Sequence, residues 1–264
     1  MRKEWRRLTK QYEIESLRNG RAFYRWHCVV SEDEPYLGGN DKYNSGYSID
    51  AHIVEGDKEF RQKVKVDIKQ VYTIGKDIFS NAKKLEKTLT PIIKEAVESI
   101  GAYNEGLEYA VKSEASINRK IRDRYVEYYI TNGINIKMED IASSLSDVNR
   151  YTAILDVDQF VEQYEQINTV LEKQGLIINK VKNTFKVDGA TYKGVNNNYF
   201  TPDGTVFELQ FHTKESFELK NVKLHEIYEE ERLVETTPER KKELKELMKK
   251  LSFALTIPKD IDKI

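Results

Sequence analysis

The tightest constraint on how this chain folds lies at residues 192–213, where Pro202, Asp203 and Gly204 separate two short runs. In the second run Phe207, Leu209 and Phe211 fall on one face and Glu208, Gln210 and His212 on the other. That period of two belongs to a strand with one buried side. Proline, aspartate and glycine in succession form a tight turn, so the run at 195–200 is expected to pair with it as an antiparallel neighbour. Ahead of the hairpin lies a polar, glycine-bearing segment, Tyr192-Lys193-Gly194-Val195-Asn196. Such a hairpin brings Tyr192, Asn196 and Glu208 within reach of one ligand.

A second carboxylate, Asp147, opens another apolar strand at 151–155. Magnesium takes an oxygen shell in which one or two carboxylates are completed by substrate phosphates. Two acids on neighbouring strands, with lysines between, therefore suit metal-assisted phosphoryl transfer. Both are expected to face solvent in a cleft, so that replacing either leaves folding intact. Asp156 and Asp158 follow the strand as loop and capping acids, Asp158 at the place of a helix N-cap.

Composition bounds the alternatives. The 264 residues suffice for one large or two modest domains, and 39% hydrophobic content supports a core. With 43 basic and 44 acidic residues the formal charge is -1, which excludes a polycation and leaves anion binding to a local basic cleft. The single cysteine, Cys28, excludes an intramolecular disulfide and a four-cysteine zinc site, and reads as a small buried hydrophobe. No apolar run approaches the roughly 20 residues of a membrane helix. The basic N-terminus lacks the apolar stretch of a secretion signal. The expected residence is the cytoplasm, with delivery by a specialised secretion machine or a phage particle as other routes.

Along the chain, Trp5, Leu8, Tyr12 and Leu17 suggest a short helix, residues 22–30 a strand, and residues up to Gly56 a loop rich in Gly, Asn and Tyr. Leu85, Leu89, Ile92, Ile93, Ala96, Val97 and Ile100 are spaced as a helix, with Pro91 in its first turn or at a kink. A second helix over 116–129 carries Ile117, Ile121, Tyr125 and Tyr128 and is stopped by Asn132-Gly133. Residues 136–145 form a connector. A helix over 161–174 ends at Gly175, and strands follow at 176–181, 195–200 and 205–211. This order gives an α+β fold, with a mixed sheet of about five strands flanked by helices. Thr236 and Glu239 frame the start of a final charged, amphipathic helix that packs or dimerises on one edge.

Lys112, Ser116 and Lys120 recur every four residues, one polar stripe if all lie on a helix, and their ammonium groups suit a polyphosphate. Arg119, Arg122 and Arg124 thicken the basic character of that wall. Neither a Walker loop nor a dinucleotide fingerprint occurs, so phosphate binding falls to side chains. Tyr192, among small and polar residues, is placed to stack on a base, whereas Tyr151 reads as core. His225 in Lys223-Leu-His-Glu-Ile-Tyr228 is either a packed helix residue or a phosphate contact, and His27 and His52 have no partner pattern.

Six motifs in order resemble the synthetase domain of the RelA/SpoT alarmone enzymes and their small single-domain relatives, over residues 84–235. They are Lys112-Ser-Glu-Ala-Ser116-Ile-Asn-Arg-Lys120, Asp147-Val-Asn-Arg-Tyr-Thr-Ala-Ile154, Lys182-Asn-Thr-Phe185, Thr191-Tyr-Lys-Gly-Val-Asn196, Glu208-Leu-Gln210 with His212-Thr213, and His225-Glu-Ile-Tyr228. The resemblance implies that Lys112, Ser116 and Lys120 contact the ATP phosphates and adjacent ribose. It implies magnesium on Asp147, the acceptor base on Tyr192, and magnesium binding or hydroxyl activation by Glu208. The activity implied is transfer of the ATP β,γ-pyrophosphate to the 3′-hydroxyl of GDP or GTP, releasing AMP.

The chain departs from the family pattern at four places: Ala110, Thr152 and His212 stand where arginine is usual, and Asn196 where histidine is. These cluster around phosphate and acceptor contacts, while both acids remain. Two other readings follow. One is a toxin-type relative that pyrophosphorylates the tRNA 3′ end or an adenosine nucleotide, with an antitoxin partner. The other is a non-catalytic binding or phage structural protein that keeps the fold; a homo-oligomer is a further expectation for the chain. Residues 1–83 are read as an accessory region without the hydrolase domain of the long enzymes, and 236–264 as a helix and tail.

Overall fold

The structure, a computed structural model, describes residues 7–16, 22–31, 46–55, 58–132, 136–232 and 236–264. The chain divides into two compact units. One gathers the described residues of Met1–Ile78, Glu114–Ser144 and Arg232–Thr237; the other comprises Phe79–Ser113, Leu145–Glu231 and Pro238–Ile264.

The first unit holds an antiparallel sheet of β1 (Arg7–Ser16), β2 (Ala22–Ser31), β3 (Gly46–Glu55) and β4 (Lys58–Asp67), in sequence order. Two expectations are corrected. The segment expected to be helical around Leu8 and Tyr12 is strand β1, which pairs with β2 from Arg7↔Ser31 to Ser16↔Ala22. Trp5 and Leu17 lie outside the described residues. The expected loop up to Gly56 contains β3, bonded to both β2 and β4. Cross-strand pairing decides such segments, and local spacing does not report it.

The helix α1 (Ile68–Glu98) begins directly after β4 and runs 31 residues with Pro91 inside it, well ahead of the expected start. The helices α2 (Glu114–Asn132) and α3 (Met138–Ser143) complete the first unit, and α3 occupies the expected connector. Val66, Val71, Ile117, Ile121, Val126, Met138 and Ile141 are buried. Gln70 Nε2 donates to Glu139 Oε1 at 3.0 Å, tying α1 to α3.

The second unit is built on a five-stranded mixed sheet flanked by helices, as the alternation of runs requires. Its strands are β5 (Tyr103–Asn104), β6 (Arg150–Leu155), β7 (Ile177–Asn183), β8 (Val195–Phe200) and β9 (Val206–Thr213), in the order β5-β6-β9-β8-β7. Only β6 and β9 run parallel. The helix α4 (Phe160–Lys173) joins β6 to β7; α5 (Lys214–Leu219), α6 (His225–Arg232) and α7 (Pro238–Phe253) follow β9. Phe207, Leu209 and Phe211 are fully buried, against Leu89, Ile93 and Val97 of α1 and Tyr164, Ile167 and Leu171 of α4 in one core. Tyr199 stacks on Phe207 at 5.1 Å, and Tyr164 meets Phe211 edge-on at 4.9 Å. Gly204 adopts φ 83° in the hairpin turn, a conformation that costs a side-chain-bearing residue. Asp156, and not Asp158, stabilises the entry to α4: its Oδ1 accepts from Asp158 N at 2.8 Å and Gln159 N at 3.3 Å.

Candidate functional site

The hairpin sets the site by register. Strands β8 and β9 pair Asn196 with Gln210 and Asn198 with Glu208, while β6 places Arg150 opposite Glu208. The backbone N–H of Glu208 donates to Asn149 O at 2.9 Å, next to the chain that leads back to Asp147. With the odd-numbered aromatics committed to the core, Glu208, Gln210 and His212 share the other face. Gln210 Nε2 donates to Glu208 Oε1. Lys220 Nζ donates to Gln210 Oε1 at 2.5 Å and lies 3.2 Å from His212 Nε2. Lys220 begins a wide π-type turn, Lys220–Leu224, between α5 and α6. Such turns open the hydrogen-bond ladder and re-aim side chains.

The segment carrying Tyr192 is held down on both sides. Thr184 Oγ1 donates to Gly194 O and accepts from Gly194 N, each at 2.9 Å. The buried Lys193 turns away from the ligand face and donates to the carbonyls of Phe185 at 3.0 Å and Val187 at 2.9 Å. Ser252 Oγ on α7 donates to Thr191 O at 2.9 Å. The neighbouring Tyr192 ring has Lys182 Nζ and Lys220 Nζ each 5.9 Å from its centroid, a cation–π distance. Burial raises the Tyr192 phenol pKa, the Glu208 charge adds to the rise, and hydrogen bonding to Thr184 and Asn196 opposes it. The Asn196 Oδ1 atom is buried without a hydrogen-bond partner, an acceptor left for something else to satisfy.

His212 is fully buried. Burial and then the Lys220 charge hold its pKa well below the ordinary histidine value, so the imidazole is neutral. Its Nδ1 lies 3.1 Å from Ser216 Oγ. Burial likewise pushes the Lys220 ammonium down to about 8; nearby Arg150 pushes the same way and Glu208 opposes.

Lys112 and Asp147 form an ion pair at 2.8 Å, both side chains mostly shielded at 19% and 17% exposure. Two expectations are thereby corrected. Asp147 is not an exposed cleft acid. Lys112 does not lie on the helix of Ser116 and Lys120, because α2 starts at Glu114. An antiparallel bridge between Val111 and Asn149, with Lys112 N donating to Val148 O at 2.9 Å, keeps it extended. Ser116, Arg119 and Lys120 are half-buried on α2 in the first unit. His225 is exposed at the start of α6, with Tyr228 48% exposed beyond it. The structure thus brings Glu208, Gln210, His212, Tyr192, Asn196 and Lys182 together, and holds Lys112 on Asp147.

Lys220 and Arg150 were missed by sequence reasoning. Arg150 precedes the apolar run as an ordinary strand-end charge. Lys220 lies in Lys214-Glu-Ser-Phe-Glu-Leu-Lys220, where lysine and glutamate read as a solvated helix face; no local signal marks it.

Asp147 and Glu208 carry hard carboxylate oxygens of the kind magnesium takes together with substrate phosphates, the Asp147 carboxylate being paired with Lys112. Among the described residues no group of three or more His, Cys, Asp or Glu is assembled for a metal, so the site offers no all-protein cage. No helix among the described residues is long and apolar enough to cross a membrane.

No protein-family model and no curated protein matches the chain. Three similar solved structures place the likeness. The chain in a complex of the type VI effector Tas1 with its immunity protein is 17% identical, with 75% of this chain and 97% of that chain covered, at a TM-score of 0.37. The small alarmone synthetase 1 of Bacillus subtilis bound to its product pppGpp is 13% identical, with 67% and 87% covered, at 0.42. A GTP pyrophosphokinase family protein of Streptococcus pneumoniae is 17% identical, with 67% and 84% covered, at 0.40. At TM-scores below 0.5 these likenesses stand as observations and carry no inference about activity.

Proposed function

We propose that the second unit is a pyrophosphotransferase that moves the β,γ-pyrophosphate of ATP onto the 3′-hydroxyl of a guanosine nucleotide. The observation that carries this reading is the convergence of Glu208, Gln210, Tyr192 and Asn196 on one face of the hairpin, with two ammonium groups over the Tyr192 ring. An aromatic ring, a buried unpartnered amide oxygen and a carboxylate are what a nucleoside with a reacting hydroxyl requires. Guanine offers N–H donors to such an amide oxygen.

In the proposed reaction Tyr192 and Asn196 hold the acceptor nucleoside, and Gln210 orients the Glu208 carboxylate. Glu208 takes the proton of the 3′-hydroxyl as that oxygen attacks the β-phosphorus. The bond from the β-phosphorus to the α,β-bridging oxygen breaks, and AMP leaves with that oxygen. Asp147 and Glu208 are the residues that would hold magnesium, which when bound offsets charge on the transferring phosphates. Lys112 keeps the donor-phosphate role that the family resemblance implies.

The test is γ-labelled ATP incubated with magnesium and GDP, GTP, ADP, ATP or tRNA in turn. Label is expected on GDP or GTP with AMP released, and the Glu208→Gln variant is expected to lose about a hundred- to ten-thousandfold in rate. Transfer to tRNA alone would replace the nucleotide acceptor with the toxin-type reading, which the changed residues Asn196 and His212 leave open. No transfer to any acceptor, together with no binding of a non-hydrolysable ATP analogue, would leave the non-catalytic reading.

A further inference from the structure

The cations around Tyr192 exceed the anions. Lys220 and Lys182 lie over its ring and Arg150 acts on Lys220, while among the described residues Glu208 is the carboxylate that acts on Lys220. None of the three cations forms an ion pair among the described residues. Arg150 and Lys182 are exposed and Lys220 is half-buried, so the repulsion falls mainly on the Lys220 ammonium, and an anion beside it offsets the cost. An ammonium carries three N–H donors. Two of those on Lys220 are directed at Gln210 Oε1 and His212 Nε2, and no further hydrogen-bond partner occurs among the described residues. Because His212 is neutral and buried, it accepts from Lys220 and cannot itself bind an anion from the ligand side.

We propose that Lys220 is a further ligand-binding residue of this site, presenting its remaining donor to an anionic phosphate oxygen of the nucleotide that packs against Tyr192. The proposal rests on the nucleotide-acceptor reading above. Positive charge at the end of β9 is then carried by a residue of the following π-type turn, bonded back to Gln210 and His212, and not by the strand itself. The consequence is a pH-dependent site. The groups facing Lys220 are Glu208 and His212 on β9, Arg150 on β6, and Tyr192 with Lys182 beyond its ring. With the ammonium already pushed down to about 8, an anion binds the protonated form, so affinity falls as pH rises through that value.

Calorimetry on the full chain tests this with GDP and, as the uncharged control, guanosine. For the wild type, GDP affinity is expected to fall about five- to tenfold between pH 7 and 9 beyond any change for guanosine. Lys220→Met is expected to weaken GDP about ten- to a hundredfold at pH 7 and guanosine by about threefold at most. Lys220→Arg, charged throughout this range, is expected to bind GDP with no pH dependence beyond that of guanosine. Thermal melts of both variants separate lost contacts from lost folding. If Lys220→Met binds GDP as the wild type does, or weakens guanosine equally, Lys220 reads no anion and the proposal fails while the acceptor reading stands. If the wild type binds neither GDP nor guanosine, both fail.

Discussion

Gly194 and His212 make the closest approach in the site. A Cβ added at Gly194 would come within 2.5 Å of His212 Cε1, and the imidazole has no room to yield because Ser216 and Lys220 hold both ring nitrogens. Gly194→Ala is therefore expected to lower stability by about 1–3 kcal/mol in denaturant titrations and to displace Tyr192 with it. Asp147, the proposed magnesium ligand, is also an ion-pair partner. Its ion pair with Lys112 is mostly shielded, so Asp147→Ala removes a charge-assisted hydrogen bond and is expected to cost about 1–3 kcal/mol in chemical unfolding. The double variant with Lys112→Ala is expected to regain part of that loss, a coupling that additive effects would not produce. A loss of transfer in Asp147 variants must therefore be read beside their stability.

At the scale of elements, α7 acts as a clasp on the segment that carries Tyr192. Ser252 of α7 is fully buried and bonds to Thr191 O, one residue from the tyrosine. Ser252→Ala removes that donor and is expected to raise hydrogen exchange across 184–194 and to weaken acceptor binding more than ATP binding. Equal loss for both substrates would show a general destabilisation instead. The hairpin shows why this part of the site was legible in advance: an alternating run beside a Pro-Asp-Gly turn has one solution, and register then dictates which polar residues face each other. The Lys112 segment was not legible. Its four-residue spacing to Ser116 and Lys120 is a helix signal, yet the bridge to Asn149 holds it extended, and a backbone contact 38 residues away in the chain leaves no trace in local spacing.

For the molecule as a whole, the second unit is assembled from three separated stretches of chain. Leu89, Ile93, Ala96 and Val97 of α1 supply one side of its core, so a fragment of residues 145–264 lacks that layer and is expected to show no cooperative melt by circular dichroism. The buried His212 adds a pH term. Its folded pKa lies well below the ordinary 6.5, so the unfolded chain takes up a proton first. The stability it confers is present above about 6.5 and is lost as pH falls towards the folded value. The wild-type melting temperature is expected to drop on acidification below that point, by less in His212→Gln. The chain by itself determined the periodic helices, the mixed sheet of the second unit, the hairpin and the polar face bearing Glu208, because those follow from spacing within a few residues and from turn chemistry. Only the tertiary structure decided that β1 and β3 are strands, that Asp147 is tied to Lys112, that His212 is buried, and that the Lys220 ammonium lies over the Tyr192 ring. Each of these depends on which distant segments pack together, and burial and charge pairing arise from that packing alone.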